Sequence, residues 1–401
     1  MMRAFLSVFL FVLCLNANGA SKALSQAEYK LLTSAHALME AGQWVTAQQQ
    51  LEAAQPKMRS DYAKALLAHN LAQVSLQRER YKSAIKHLLT AQSLKALPEN
   101  QQINILHTLG QLHCMEEAWK KCTFYLSDWM KKAPGDVRAN DHLLIAQAYS
   151  QLEKWRSVLP HIGKAIAQRN IAPENWYQLK IAAHINLKQW KSAAKAQQVL
   201  VKNYSTKAQH WRQLVSLHMQ AGDRKAALAT QRLGYQRKLL RNGKDHKLLA
   251  QLLLSHSIPF HAGEVMAAGL KRGVLKADRR NLELLGTAWI QAKENDKAVK
   301  VMERLYRVLP TEKNAQRLAQ VQLQAEQWRG AEKTLLHALK SKPKKPATLQ
   351  LMLGIARINL KHYPGARDAL VEAGSHGQHK TAVNNWLRYL DQMDAATEQR
   401  G

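Results

Sequence analysis

The sequence predicts an all-α chain of about ten tandem helix pairs, and three observations carry that expectation. An aromatic residue precedes a small one by three positions at Trp44/Ala47, Tyr81/Ala84, Trp119/Cys122, Trp155/Val158, Trp190/Ala193, Phe260/Gly263, Trp328/Ala331 and Tyr363/Ala366. Arg224/Ala227 and Asn295/Ala298 keep the small member alone, and successive anchors across all ten lie 33 to 38 residues apart. Nine residues before the anchor a second small residue recurs, at Ala35, Ala72, Gly110, Ala146, Gly286, Ala319 and Gly354. Strand signals are missing: β-branched runs are few, and no Asn-Gly turn separates alternating segments.

Taken in order, the chain opens MMRAFLSVFLFVLCLNANGASK. Arg3, the 12-residue apolar run Ala4 to Leu15 and the small residues Ala17 and Gly19 have the layout of a cleaved secretory signal peptide over 1–20. Leu13 before Cys14 argues against a lipoprotein, and the run is too short to span a bilayer. The expected location is periplasmic. Repeats follow in an N-terminal set over 21–210 and a C-terminal set over 211–379. Residues 380–401 close the chain: KTAVNNWLRYLDQM spaces Trp386, Leu387 and Leu390 to lie on the last repeat as a capping helix, with fraying beyond Asp394.

Within each repeat, two apolar-periodic helices flank a polar turn such as Ala221-Gly222-Asp223 or Lys293-Glu294-Asn295. The paired small residues sit twelve apart on either side of that turn, where they let the helices approach. Pro134, Pro310 and Pro343 fall where second helices should stop. Ile181, Val215 and Gln251 stand where a small residue is expected, so less regular packing is predicted for the fifth to seventh units.

This pattern resembles the tetratricopeptide repeat (TPR) over roughly residues 25 to 375. Leu109-Gly110-x-x-His113 with Cys122-x-x-x-Leu126 and Pro134, and Leu285-Gly286-x-x-Trp289 with Ala298-x-x-x-Met302 and Pro310, carry the resemblance. It implies a right-handed α-α superhelical solenoid, with first helices on the concave side and second helices on the convex side.

The formal charge is +30. In the cytosol such a balance would suggest nucleic acid; export removes that expectation. Anionic membrane surfaces or acidic protein segments take its place, beside the simpler reading of a solvated basic surface. No His-Glu-x-x-His, Gly-x-Ser-x-Gly, phosphate loop or Cys-x-x-Cys occurs. His376 and His379 have metal-compatible spacing without a third ligand. The expectation is a non-enzymatic protein with no cofactor and no metal.

HCMEEAWKKC, His113 to Cys122, is the most chemical-looking stretch. In register it is the turn of the third unit, with Trp119 as anchor and Cys122 as small packing residue. Cys114 is expected to lean toward the concave groove. A disulfide between Cys114 and Cys122 is permitted in the periplasm and stays open beside a purely packing role, because their predicted faces differ.

Projecting first helices onto a groove selects Asn104, His107, Gln111, Asn140, Gln147, Gln178, Arg212 and Ser216 as candidate partner-binding residues. Amides both donate and accept, which suits a partner's backbone. Arg232, Arg237, Lys238, Arg241, Lys244 and Lys247 form a candidate basic surface, placed on a second helix and its exit. Lys271, Arg272, Lys276, Arg279 and Arg280 form another, and Lys340, Lys342, Lys344 and Lys345 a third.

The second half is similar to the periplasmic TPR proteins that accompany bacterial TonB systems. NLELLGTAWIQAKENDKAVKVME, LLAQLLLSHSIPFHAGEVM, WRQLVSLHMQAGDRKAALATQ and NNWLRYLDQM carry that likeness. It implies an envelope adaptor working beside TonB, ExbB and ExbD. A periplasmic scaffold for polysaccharide export or cell-wall synthesis is the alternative.

Overall fold

A computed structural model describes residues 24–398. The signal-peptide reading and Cys14 lie outside the described residues. Among these residues there are twenty-one α-helices and no strands. The helices are α1 (Gln26–Glu40), α2 (Trp44–Ala54), α3 (Asp61–Gln77), α4 (Tyr81–Ser93), α5 (Glu99–Met115), α6 (Trp119–Lys132) and α7 (Ala139–Gln151). They continue with α8 (Trp155–Ala167), α9 (Glu174–Asn186), α10 (Trp190–Asn203), α11 (Ala208–Gln220), α12 (Arg224–Gln236), α13 (Gly243–Ser255) and α14 (Pro259–Lys271). The last are α15 (Arg279–Gln291), α16 (Asn295–Val308), α17 (Glu312–Gln324), α18 (Trp328–Lys340), α19 (Pro346–Asn359), α20 (Tyr363–Ser375) and α21 (Lys380–Glu398). Ten pairs and a closing helix match the expected fold class.

Two compact units divide inside α10, after Ala196, earlier in the chain than the 210/211 boundary read from the repeats. Each is a stack of antiparallel pairs in which α1·α2, α3·α4, α5·α6 and their counterparts pack together.

The turn inside each pair is one device used ten times. A residue in the left-handed region stands two positions before every second helix: Gly42, Glu79, Glu117, Glu153, Lys188, Gly222, Ser257, Lys293, Glu326 and Lys361. The next residue's N–H then reaches back to a carbonyl five positions earlier, as in Ala118 to His113 (2.8 Å) and Glu294 to Trp289 (3.0 Å). This is the Schellman arrangement, which satisfies carbonyls that the helix end leaves without partners. Only Gly42 and Gly222 have the residue type that adopts this conformation without cost.

The turn also fixes the repeat register, and it corrects one unit. In the seventh pair Ser257 is the left-handed residue and Pro259 opens α14. The anchor there is Pro259/Ala262 with Ala250 nine residues before, in place of Phe260/Gly263 with Gln251. Ala250 and Ala262 are fully buried, whereas Gln251 and Phe260 are exposed. The seventh unit is therefore regular. Ile181 and Val215 do occupy small-residue positions, both buried.

Small residues permit the close approach they were expected to permit. A Cβ added at Gly110 would meet the Leu126 side chain at 2.6 Å, and one at Gly354 would meet Leu370 at 2.7 Å. Leu126 and Leu370 are fully buried, and burying a leucine contributes about 2 kcal/mol.

Stacking of successive pairs is fixed by polar links at repeat positions. Glu28 on α1 accepts the N–H of Arg59 (2.9 Å) and Ser60 (3.4 Å) at the start of α3. Glu312, at the same position of its pair, accepts the N–H of Lys344 (3.0 Å) and Lys345 (3.1 Å) before α19. The N–H groups of Arg59 and Ser25 hold the Glu28 carboxyl down at about 2.

At the C-terminus Leu390 and Val383 are buried against Ala366, Leu370 and Ala373, with Trp386 and Leu387 partly covered. The helix runs through Glu398, past Asp394 where fraying was expected. Arg367 accounts for part of this, bonding Asp391 at 2.7 Å and Asp394 at 2.9 Å.

Candidate functional site

First helices carry their exposed polar residues in columns, because a given position recurs on the same face of every pair. In the first unit Asn104 and Gln178 are exposed, and His107, Gln111, Asn140 and Gln147 are half-buried. In the second unit Arg212 and Ser216 are exposed. The predicted residues thus lie on first-helix faces of α5, α7, α9 and α11. They do not all present free groups.

His107 is a tie between pairs. Its Nε2 lies 2.8 Å from Asp141 Oδ1 and donates to it, and its ring stacks on the buried Trp129 at 3.8 Å. The Gln111 amide nitrogen lies 3.2 Å from the same His107 nitrogen. Arg212 repeats the arrangement in the second unit: Nε and Nη2 bond the two Asp245 carboxylate oxygens at 2.9 and 3.0 Å. His107 and Arg212 stand three residues before their small positions, and Asp141 and Asp245 five before theirs. Equivalent positions are therefore linked, one by an imidazole and one by a guanidinium.

Asp245 is buried and also caps α13 by accepting the Asn242 N–H at 3.1 Å. Truncating Arg212 leaves that carboxylate without its cation. Arg212→Ala is expected to destabilise the second unit by about 2 kcal/mol, against less than about 0.5 for Ser216→Ala. Urea unfolding of both variants measures the difference.

Gln178 is also engaged, donating to Glu174 Oε1 at 2.9 Å on its own helix. Asn104, Asn140, Gln147 and Ser216 are the predicted residues whose side chains bond no other protein group. A column that the sequence reading took only in part is the residue immediately after the small position. Gln73, Gln111 and Gln147 stand there on three successive pairs of the first unit, between His36 and Ala182, and Gln251 and Gln320 stand there in the second unit beside Ser216, Thr287 and Ile355. Counting from every small residue in corrected register would have revealed it.

Cys114 and Cys122 are joined by a disulfide, with Cα atoms 4.9 Å apart. Cys114 is buried inside the pair, so it does not lean toward the groove. The Schellman turn at Glu117 folds α6 back onto α5 and brings both side chains between the helices. His113, its pKa lowered mainly by burial, stacks on Tyr125 at 5.3 Å beside the bridge.

The basic candidates Arg232, Arg237, Lys238, Arg241 and Lys244 are exposed, and Lys247 is half-buried. Lys244 and Lys247 stand on α13, a first helix, so this group is not confined to a second helix and its exit. Asn242, Gly243, Lys244 and Lys247 line a shallow depression together with Val274, Leu275, Lys276, Asp278 and Asn281.

Among the described residues no three His, Cys, Asp or Glu side chains gather as a metal site. His376 pairs with Glu372 at 3.4 Å and His379 with Thr348 at 3.0 Å, so the two histidines turn to different partners. No described helix is long and apolar enough to cross a membrane.

Each unit is a tandem stack of helix pairs. No protein-family pattern matches the chain, and no curated protein matches it. Similar solved structures include a tetratricopeptide repeat protein from Parabacteroides merdae, 14% identical with a TM-score of 0.36, covering 66% of this chain and 99% of that one. A fragment of MamA from Desulfovibrio magneticus RS-1 is 17% identical with a TM-score of 0.33, covering 42% of this chain and 90% of its own. YrrB, described as a TPR protein with an unusual peptide-binding site, is 13% identical with a TM-score of 0.34, covering 42% and 82%. At these scores the likenesses carry no argument about function.

Proposed function

We propose that the chain is a non-enzymatic periplasmic adaptor that binds protein partners along its first-helix faces, as an accessory component of a TonB-ExbB-ExbD system. The observation that carries the binding reading is the recurring amide column. Gln73, Gln111 and Gln147 stand one repeat apart on successive first helices of the first unit. Side-chain amides at that interval suit an extended segment, whose backbone offers donors and acceptors along its length. The leader-like opening supports the periplasmic location, and the likeness of the second half to TonB-associated repeat proteins supports the system.

Cross-linking in the periplasm of the native host, followed by recovery of the chain, tests this reading. The expected result is recovery of TonB, ExbB or ExbD. Replacing Gln73, Gln111 and Gln147 by Ala together is expected to lower that recovery about tenfold, equivalent to ~1.4 kcal/mol. Recovery of glycan-export or cell-wall synthesis proteins alone would transfer the adaptor to the alternative machinery.

A further inference from the structure

Antiparallel pairing places the turns within pairs at one edge of the second unit and the loops between pairs at the other. The charge is divided very unequally between these edges. The stretches around the loops, 232–247, 268–283, 303–317 and 337–348, hold nineteen Lys and Arg against five Asp and Glu. Those around the turns, 216–228, 252–264, 289–301, 324–334 and 358–368, hold nine against seven.

Four of the five loop-edge acids are already engaged within the fold. Asp245 is met by Arg212, Asp278 caps α15, Glu283 pairs with Arg279, and Glu312 accepts two backbone N–H groups. The basic side chains are solvent-facing: Arg237, Lys238, Arg241, Lys271, Arg272, Lys276, Arg304, Arg307, Lys340, Lys342, Lys344 and Lys345 are all exposed. Neighbouring loops meet in two pairs: Asn242, Gly243, Lys244 and Lys247 share a depression with Val274, Leu275 and Lys276, and Glu312 bridges to Lys344 and Lys345. With pairs stacked at helix-packing distances the four loops extend over roughly 30 Å. That is much longer than a small anion.

The loops also carry exposed aliphatic residues. Val274 lies between Arg272 and Lys276 and is 37% exposed, and Val308 follows Arg307 and is 54% exposed. In the first of these loops the next residue, Leu275, is buried and anchors the chain. An exposed aliphatic beside cations suits a surface of anionic headgroups with acyl chains beneath, where charge attracts and the aliphatic enters. A soluble polyanion would leave it unsatisfied.

We infer that the loop edge of the second unit docks on an anionic lipid bilayer. This surface is separate from the amide column and stands or falls independently of the partner proposed above.

Co-sedimentation of the full chain with phosphatidylglycerol-phosphatidylcholine vesicles tests it. Binding is expected to exceed that to pure phosphatidylcholine at least about tenfold, and to fall about tenfold between roughly 50 and 500 mM salt. Combined reversal of Lys271, Arg272, Lys276, Lys340, Lys342 and Lys344 to Glu should abolish it. Reversal of Lys225, Lys293 and Lys361 on the turn edge should leave it intact, with circular dichroism confirming that both variants fold. Val274→Ser with Val308→Ser should weaken vesicle binding about threefold or more and leave binding of polyglutamate unchanged. Equal loss in both charge-reversal variants, or no effect of the two serines on vesicles, would overturn the assignment. So would polyglutamate or duplex DNA binding as tightly as the vesicles.

Discussion

Gly110→Ala is expected to lower the stability of the first unit by about 2 kcal/mol, and Gly354→Ala to do the same in the second, while Gly286→Ala is expected to be nearly neutral. All three occupy the same repeat position, so helix propensity favours alanine at each by about 1 kcal/mol. What differs is the opposing side chain. At Gly110 the new Cβ would lie 2.6 Å from both Cγ and Cδ2 of Leu126 and 3.1 Å from its backbone nitrogen. At Gly354 it would lie 2.7 Å from Leu370 Cγ and 3.4 Å from the Ala366 carbonyl oxygen. Both leucines are fully buried and can yield only by parting the helices. Overpacking of this kind costs about 3 kcal/mol, which exceeds the propensity gain. At Gly286 the sole close atom is Met302 Sδ at 2.8 Å, and an unbranched thioether can rotate away. Chemical denaturation of the three variants should find Gly286→Ala the least destabilised, with Gly110→Ala and Gly354→Ala together well below it in stability. Equal losses at all three would show that the position, and not its opposing side chain, sets the cost.

Reducing the Cys114–Cys122 bridge is expected to remove about 2–3 kcal/mol from the stability of the first unit. The bridge closes a loop of eight residues in sequence separation, and closing a loop that short restricts the unfolded chain by about this amount. Both cysteines are buried, so a mild reductant should act only when α5 and α6 separate, and slowly under native conditions. Cys114→Ala with Cys122→Ala tests the cross-link apart from the packing. Position 122 is a small-residue site that alanine fills in most other pairs, so the double variant should fold and lose the same 2–3 kcal/mol. Calorimetry with and without reductant should shift the wild type and leave the double variant unmoved. A shift in the double variant would place the effect outside the bridge.

Much of this architecture was legible because a helix pair records its geometry locally. Trp119 and Cys122, or Tyr363 and Ala366, are neighbours along one helix face, and Pro134, Pro310 and Pro343 do stand beyond the ends of α6, α16 and α18. The seventh pair lies one residue away from the register its sequence suggests, because Phe260 and Gly263 satisfy the aromatic-and-small pattern as well as any true anchor. Pro259, suited to the first turn of a helix, was the available signal. Glu117 and Lys293 gave none: they are ordinary polar residues, and their left-handed backbone follows from the turn they occupy.

The candidate face divides along the same line. Sequence alone determined that this is a tandem helical repeat, and which residues fall on first-helix faces, because both follow from spacing along a chain with a fixed helical pitch. Only the tertiary structure decided that His107 and Arg212 are bound to Asp141 and Asp245 while Asn104, Asn140, Gln147 and Ser216 remain open, and that Cys114 meets Cys122. These pairings depend on a turn reversing the chain, or on one pair stacking on the next. Stacking brings together groups more than thirty residues apart, at distances that no local spacing encodes.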